Sequence, residues 1–146
     1  MLELKYGHLR NVNFLRGINR LANYQGLKDP KALYNIMRIT KKIEQEGKNS
    51  DELFMKVVKQ YAELDEKGDV VCIEDKPGMP KIPEEKQKEY AEKLKEFMDI
   101  DFKIERFKVK LSDVVGAGFS AKELEGLEDI LDTSDLEEKP TLSVVN

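Results

Sequence analysis

The sequence contains one histidine, His8, and one cysteine, Cys72, the side chains best suited to proton transfer or nucleophilic attack, and neither has a partner at motif spacing. A zinc site or a general base needs further ligands or an orienting group close by, and none follows His8 in such a pattern. A surface or strand-end position is therefore expected for it. Cys72 stands in the apolar run Val70, Val71, Cys72, Ile73, where a buried, inert thiol is expected because reactivity requires an electropositive, partly exposed setting. Gly116-Ala117-Gly118 resembles the opening of a dinucleotide-binding fingerprint, but it lacks the third glycine and a preceding βαβ unit, so it predicts a bend. No glycine-rich run leads into Lys-Ser/Thr. Glu123, Glu125, Glu128, Asp129 and Asp132 could supply an acid–base pair or metal ligands, yet their helical surroundings predict a solvated face and caps. The alternating oxygen ligands of a calcium loop do not occur. No catalytic residue, cofactor-binding residue or metal ligand is assigned, and a non-enzymatic protein is expected.

The elements that would carry a binding function are set first by composition. The 146 residues are the usual length of one domain, with 40% hydrophobic and 37% charged residues, which predicts a modest core under a heavily ionised surface. A lone cysteine excludes an internal disulfide, and neither a charged-then-apolar leader nor an apolar run near the ~18 residues of a membrane span is present. A reducing, cytosolic setting without membrane contact is expected. The net charge of −4 is unevenly spread. Residues 1–48 carry ten Lys/Arg against four Asp/Glu, and the remainder carries fifteen against twenty-five. The basic half could meet phosphate or an acidic partner, or fold onto the chain's own acidic half. The intramolecular reading is preferred, and nucleic acid is an unfavoured partner, because nucleic-acid domains usually have an overall basic balance.

Periodicity predicts an α+β protein, mainly helical with about five helices and a small antiparallel sheet, organised as a single domain over residues 1–132 with a tail at 133–146. Leu2, Leu4 and Tyr6 alternate with Glu3 and Lys5, as in a half-buried strand. Phe14, Leu15, Ile18, Leu21 and Ala22 form the stripe of a first helix that places Arg16 and Arg20 on its exposed side, with Gly26 as a stop. Asp29-Pro30 opens a second helix that Gly47 should end, and Asn49 with Glu52 has the spacing to cap a third, reaching Lys67. Short connections make these three an antiparallel layer. Val70 to Ile73 and Met79 to Ile82 read as a hairpin with Pro77-Gly78 at its tip. A helix from Pro83 and a long strand from Asp101 to Lys110 follow, with a bend near Glu105-Arg106 and with Phe107, Val109 and Leu111 sharing one face. Ser120 and Glu123 have the spacing of a second capping box, opening a short last helix.

In this order, NFLRGINRLAN, YAELDEKGDVV, PKIPEEKQKEYAEKLKEFMDIDFKIERFKVKLSDV and FSAKELEGLEDIL resemble a family of small proteins of unknown function encoded by tailed bacteriophages. Leu111, Ser112 and Asp113 match the step that follows the family's strand, and Ser120, Leu127 and Glu128 match its small Ser-capped helix. The Pro77-Gly78-Met79-Pro80 turn and the longer tail depart from the family's form. The resemblance implies a phage gene product in the bacterial host cytoplasm or the virion, and it brings no catalytic residue. A virion-associated or assembly accessory protein acting on a protein partner is the expected function, with an inhibitor of a host or anti-phage defence protein as the alternative. Partner contact is assigned to Arg16 and Arg20 and to the tail residues Leu142, Val144 and Val145, whose spacing suits an extended strand laid along another protein's sheet edge.

Overall fold

A computed structural model describes residues 1–134. The fold is mainly helical α+β, with five α-helices and three two-stranded ladders among the described residues. Strand β1 (Leu2–Lys5) pairs antiparallel with β4 (Asp101–Ile104), Leu2 opposite Ile104 and Leu4 opposite Phe102, so alternation sends four apolar side chains into the core. On the outer face Lys103 meets Glu3 at 3.4 Å and Lys5 meets Asp101 at 3.6 Å.

Helix α1 (Val12–Asn23) starts where the Asn11 side chain accepts the backbone N–H groups of Asn13 and Phe14, and it buries Phe14, Ile18 and Leu21. It ends before Gly26, which is not its stop, and Leu15 and Ala22 of the expected stripe are exposed. Helix α2 (Pro30–Tyr61) is one rod of 32 residues, about 48 Å long. The expected break at Gly47 and the expected third helix are therefore corrected, and no antiparallel three-helix layer forms. Gly47 does not adopt the left-handed conformation of a C-terminal cap; among the described residues only Gly68, Gly78 and Gly118 have positive φ. A 3-10 turn, Tyr6–Arg10, instead spans the site. Tyr6 Oη donates to Glu46 at 3.0 Å and Arg10 reaches Asp51 at 3.1 Å, holding α2 on both sides of the glycine. Burial and the carboxylate bond push the Tyr6 phenol pKa up. Tertiary contact thus overrides the local signal.

Ile36, Ile39 and Ile43 of α2 share the main core with α1 and the β1–β4 ribbon. The other half of α2 packs on α3 (Gln87–Met98), through ring pairs Phe54–Phe97 at 5.8 Å and Tyr61–Tyr90 at 6.0 Å. Between them, β2 (Cys72–Ile73) and β3 (Lys76–Pro80) form the hairpin. Its turn is Glu74-Asp75 rather than Pro77-Gly78. Ile73 faces Lys76 while Cys72 faces Pro80, so Pro77, which has no N–H to give, lies in the unpaired stretch of β3. Gly68 belongs to a turn built on the Asp65 side chain, beyond the end of α2, and is not a helix stop.

The expected long strand is also divided. After β4 the chain leaves the ribbon, and β5 (Val109–Lys110) pairs in parallel with β6 (Leu131–Asp132), an arrangement that an antiparallel sheet did not anticipate. Helix α4 (Leu111–Val114), a 3-10 turn and the left-handed Gly118 lead into α5 (Ala121–Gly126), whose capping box joins Ser120 and Glu123 as the spacing predicts. Helix α5 lies directly on α1. A Cβ on Gly17 would come within 2.6 Å of the Leu127 side chain, and one on Gly126 within 2.7 Å of the Phe14 backbone nitrogen. Gly47 has nothing within 4 Å of the same position. Gly47→Ala is therefore expected to stabilise the protein by about 0.5–1 kcal/mol. Gly17→Ala should destabilise it by about 1–3 kcal/mol, and Gly126→Ala, which meets backbone rather than a movable side chain, should cost more than Gly17→Ala. Urea unfolding of the three variants checks this order.

Candidate functional site

Four of the ten Lys/Arg in residues 1–48, Lys5, Arg10, Arg20 and Lys42, make ion pairs among the described residues. Arg20 Nε lies 2.6 Å from Glu123 Oε1, and that carboxylate, 8% exposed, also accepts the Ser120 backbone N–H at 2.9 Å. The backbone bond from Ser120 and then Arg20 hold the Glu123 carboxyl below the usual carboxylate range, against the opposing effect of burial. Arg20 thus ties α1 to α5, with its side chain 47% exposed. Lys5 lies 3.6 Å from both Asp99 and Asp101. Arg10, beside Asp51, stacks its guanidinium 4.2 Å from the Phe54 ring centroid. Arg16 is exposed and has no ion pair among the described residues. Leu142, Val144 and Val145 lie outside the described residues.

His8 bridges two ends of the fold. Its Nδ1 accepts the Lys5 backbone N–H at 2.9 Å, and its Nε2 lies 2.8 Å from Asp129 Oδ2. With Nδ1 accepting, Nε2 carries the proton and donates it, so both ring nitrogens are engaged in holding structure. Cys72 is exposed on the hairpin, where a buried thiol was expected: its strand is two residues long and only half-buried at Ile73. Among the described residues no group of three or more His, Cys, Asp or Glu is placed to hold a metal ion, and no helix is long and apolar enough to cross a membrane.

One surface departs from this internal pairing. Residues 28–42, in and before the first half of α2, and residues 103–110 together hold nine Lys/Arg against only Asp29 and Glu105. The two segments meet around Arg106. On one side Arg38, Lys42, Lys103, Glu105 and Arg106 line a cleft of about 360 Å³. On the other side Tyr34, Asn35, Phe107 and Lys108 contribute to a cleft of about 420 Å³. The connection is held in place: Asn35 Nδ2 donates to the Phe107 carbonyl at 2.9 Å, and the Arg106 N–H bonds to the Ile104 carbonyl at 2.8 Å. Arg106 lies 5.5 Å from the Tyr34 ring centroid.

Phe107 is 83% exposed, whereas the other five phenylalanines are buried or half-buried. This corrects its expected place on a packed strand face beside Val109. The chain between β4 and β5 belongs to no strand and bends at Arg106, so alternation does not carry through it, and Phe107 is left in solvent. Leu33, Tyr34 and Met37 are also exposed on the adjacent stretch of α2. The signal available in the sequence was Lys103, Arg106, Lys108 and Lys110 interleaved with Phe107.

No protein-family model, curated protein or solved structure matches the chain.

Because the Glu123 carboxyl is held low, its stabilising contribution is complete above the unfolded carboxylate pKa, about 4.3, and is lost as pH falls through the lower folded value. Glu123→Gln should lower the thermal midpoint at pH 7, and the gap to the parent should shrink at pH 2–3. Melting curves at both pH values measure it, and a gap of equal size at both would rule out the charge as its cause.

Proposed function

We propose that this is a non-enzymatic interaction protein that binds an acidic surface of another protein through the face formed by α2 and the β4–β5 connection. The carrying observation is Phe107: an aromatic side chain 83% in solvent, on backbone anchored by Asn35, beside Arg38 and Arg106, which no carboxylate among the described residues neutralises. Leu33, Tyr34, Met37, Arg38, Arg106 and Phe107 together have the mix of aromatic residues, methionine and arginine that is enriched in protein–protein interfaces. Nucleic-acid surfaces are more polar and more uniformly basic. The chain's net charge of −4 also disfavours a long polyanion, while a local acidic patch on a folded partner meets only the basic face.

In a tailed bacteriophage, the setting that the sequence resemblance suggests, the protein would serve as a virion-associated or assembly accessory factor. An inhibitor of a host or defence protein would use the same surface. Mass spectrometry of purified particles separates the two, since an accessory structural factor is present in stoichiometric amount and an inhibitor is absent and made early.

A photo-crosslinking residue at position 107, introduced in cells that make the protein, should yield a discrete adduct with one protein, and the same residue at position 92 on α3 should not. Phe107→Ala should abolish formation of the complex and leave the thermal midpoint unchanged, because little of this side chain is buried. Adducts from position 92 but not 107 would move the binding surface elsewhere.

A further inference from the structure

We propose that the cleft between Arg38 and Arg106 is an oxyanion subsite that receives an aspartate or glutamate side chain of the protein partner, next to an apolar contact made by Phe107; this rests on the reading of the face as a protein-binding surface. Four cations line the cleft, but they are not equivalent. Lys42 is engaged with Glu46 at 3.2 Å and Lys103 with Glu3 at 3.4 Å. Arg38 and Arg106 have no carboxylate partner among the described residues. Guanidinium groups are the side chains that grip a carboxylate with two parallel bonds, so the two uncompensated groups are also those with the right geometry for it.

Arg106 is arranged for this before any ligand arrives. Its Nη1 donates to the Glu105 carbonyl at 2.8 Å, its guanidinium lies beside the Tyr34 ring, and its backbone N–H is tied to Ile104. Its Nε is buried without an acceptor among the described residues, so an external oxyanion reaches this guanidinium through its Nη groups on the cleft lining. Arg38 lies one helical turn beyond Tyr34 on α2, which places the two arginines on elements held together by the Asn35–Phe107 bond. Preorganisation of this kind lowers the ordering cost of binding. Met1 and Ile104 add an apolar wall, which strengthens charge-assisted bonds made beside it.

A carboxylate fits better than a phosphate. Glu105 lines the same cleft and repels a dianion more than a monoanion. Phe107 and Tyr34, which line the neighbouring cleft that Arg106 shares, suit an acidic residue flanked by apolar ones, a sequence that proteins offer and nucleic acids do not.

The test is a titration of the full ¹⁵N-labelled chain with a blocked peptide of alternating glutamate and leucine. Parallel titrations use its glutamine–leucine counterpart, inorganic phosphate and a single-stranded oligodeoxynucleotide. The glutamate peptide should shift the side-chain Nε–H signals of Arg38 and Arg106 and the amides of residues 104–108, and it should bind at least about tenfold more tightly than the glutamine peptide. Arg38→Gln should remove most of that difference with no change in thermal midpoint, and Arg38→Lys should restore only part of it. Equal binding of the two peptides, no shift with either, saturation by phosphate at lower concentration than by peptide, or tighter and steeply salt-dependent binding of the oligonucleotide would each overturn the proposal. Crosslinking from position 107 is read independently, so a negative titration with a positive crosslink refutes the carboxylate subsite alone.

Discussion

At Gly17 and Gly126 the α1 and α5 backbones approach so closely that neither position has room for a methyl group. Leu127, fully buried, fills the space over Gly17, and the Phe14 backbone fills the space over Gly126. That approach brings Glu123 to Arg20 and aligns the segment that follows α5. Ile130 then accepts the Val109 N–H at 2.9 Å, and β6 sets β5 in its parallel register. The connection between β4 and β5 is therefore anchored at both ends, one ladder on β1 and one on β6. Residues 105–108 bend between these anchors, and Phe107 lies on the outside of the bend. The register of the second anchor is set by the segment that follows the close α1–α5 approach.

The charge distribution follows a similar division. Lys5, Arg10 and Arg20 face carboxylates supplied by later parts of the chain, and His8 faces Asp129. Most of these pairs are half-exposed, and pairs of that kind contribute little net stability. Their effect is on arrangement, since each opposes dockings that would leave a like charge beside it. What remains is a molecule with a basic side on α2 and the β4–β5 connection and an acidic side along the hairpin and α3, where residues 61–100 hold twelve Asp/Glu against seven Lys/Arg.

Legibility in the sequence depended on whether a signal was local. The Asp29-Pro30 start of α2, the Ser120–Glu123 box and the alternation of Leu2 and Leu4 each act within a few residues, and all three occur as the spacing indicates. Gly47 and Pro77-Gly78 misled because their meaning is conditional. A glycine ends a helix only if it enters the left-handed region, and the Tyr6–Glu46 and Arg10–Asp51 contacts keep this one helical. Proline-glycine forms a hairpin tip only if the register places it there, and the bulge beside Cys72 moves the turn to Glu74-Asp75. The basic residues of the candidate surface could be counted from the sequence. Their freedom from internal pairing could not, because Arg20 and Arg38 look alike until α5 is placed against α1.

Ladder β1–β4 has a consequence for the protein's synthesis. Leu2 pairs with Ile104, so β1 is made well before its partner, with more than two-thirds of the 146 residues between them. The Arg20–Glu123 and His8–Asp129 bonds close later still, over separations of 103 and 121 residues. The nascent chain therefore leaves the ribosome with Leu2, Leu4 and Phe14 uncovered, and α2 can be helical long before the core around it closes. Closure over such distances is entropically slow, and during that interval the apolar strand is open to other chains. Glu3 and Lys5, alternating with the leucines, keep that waiting strand charged on one face and so oppose its pairing with copies of itself.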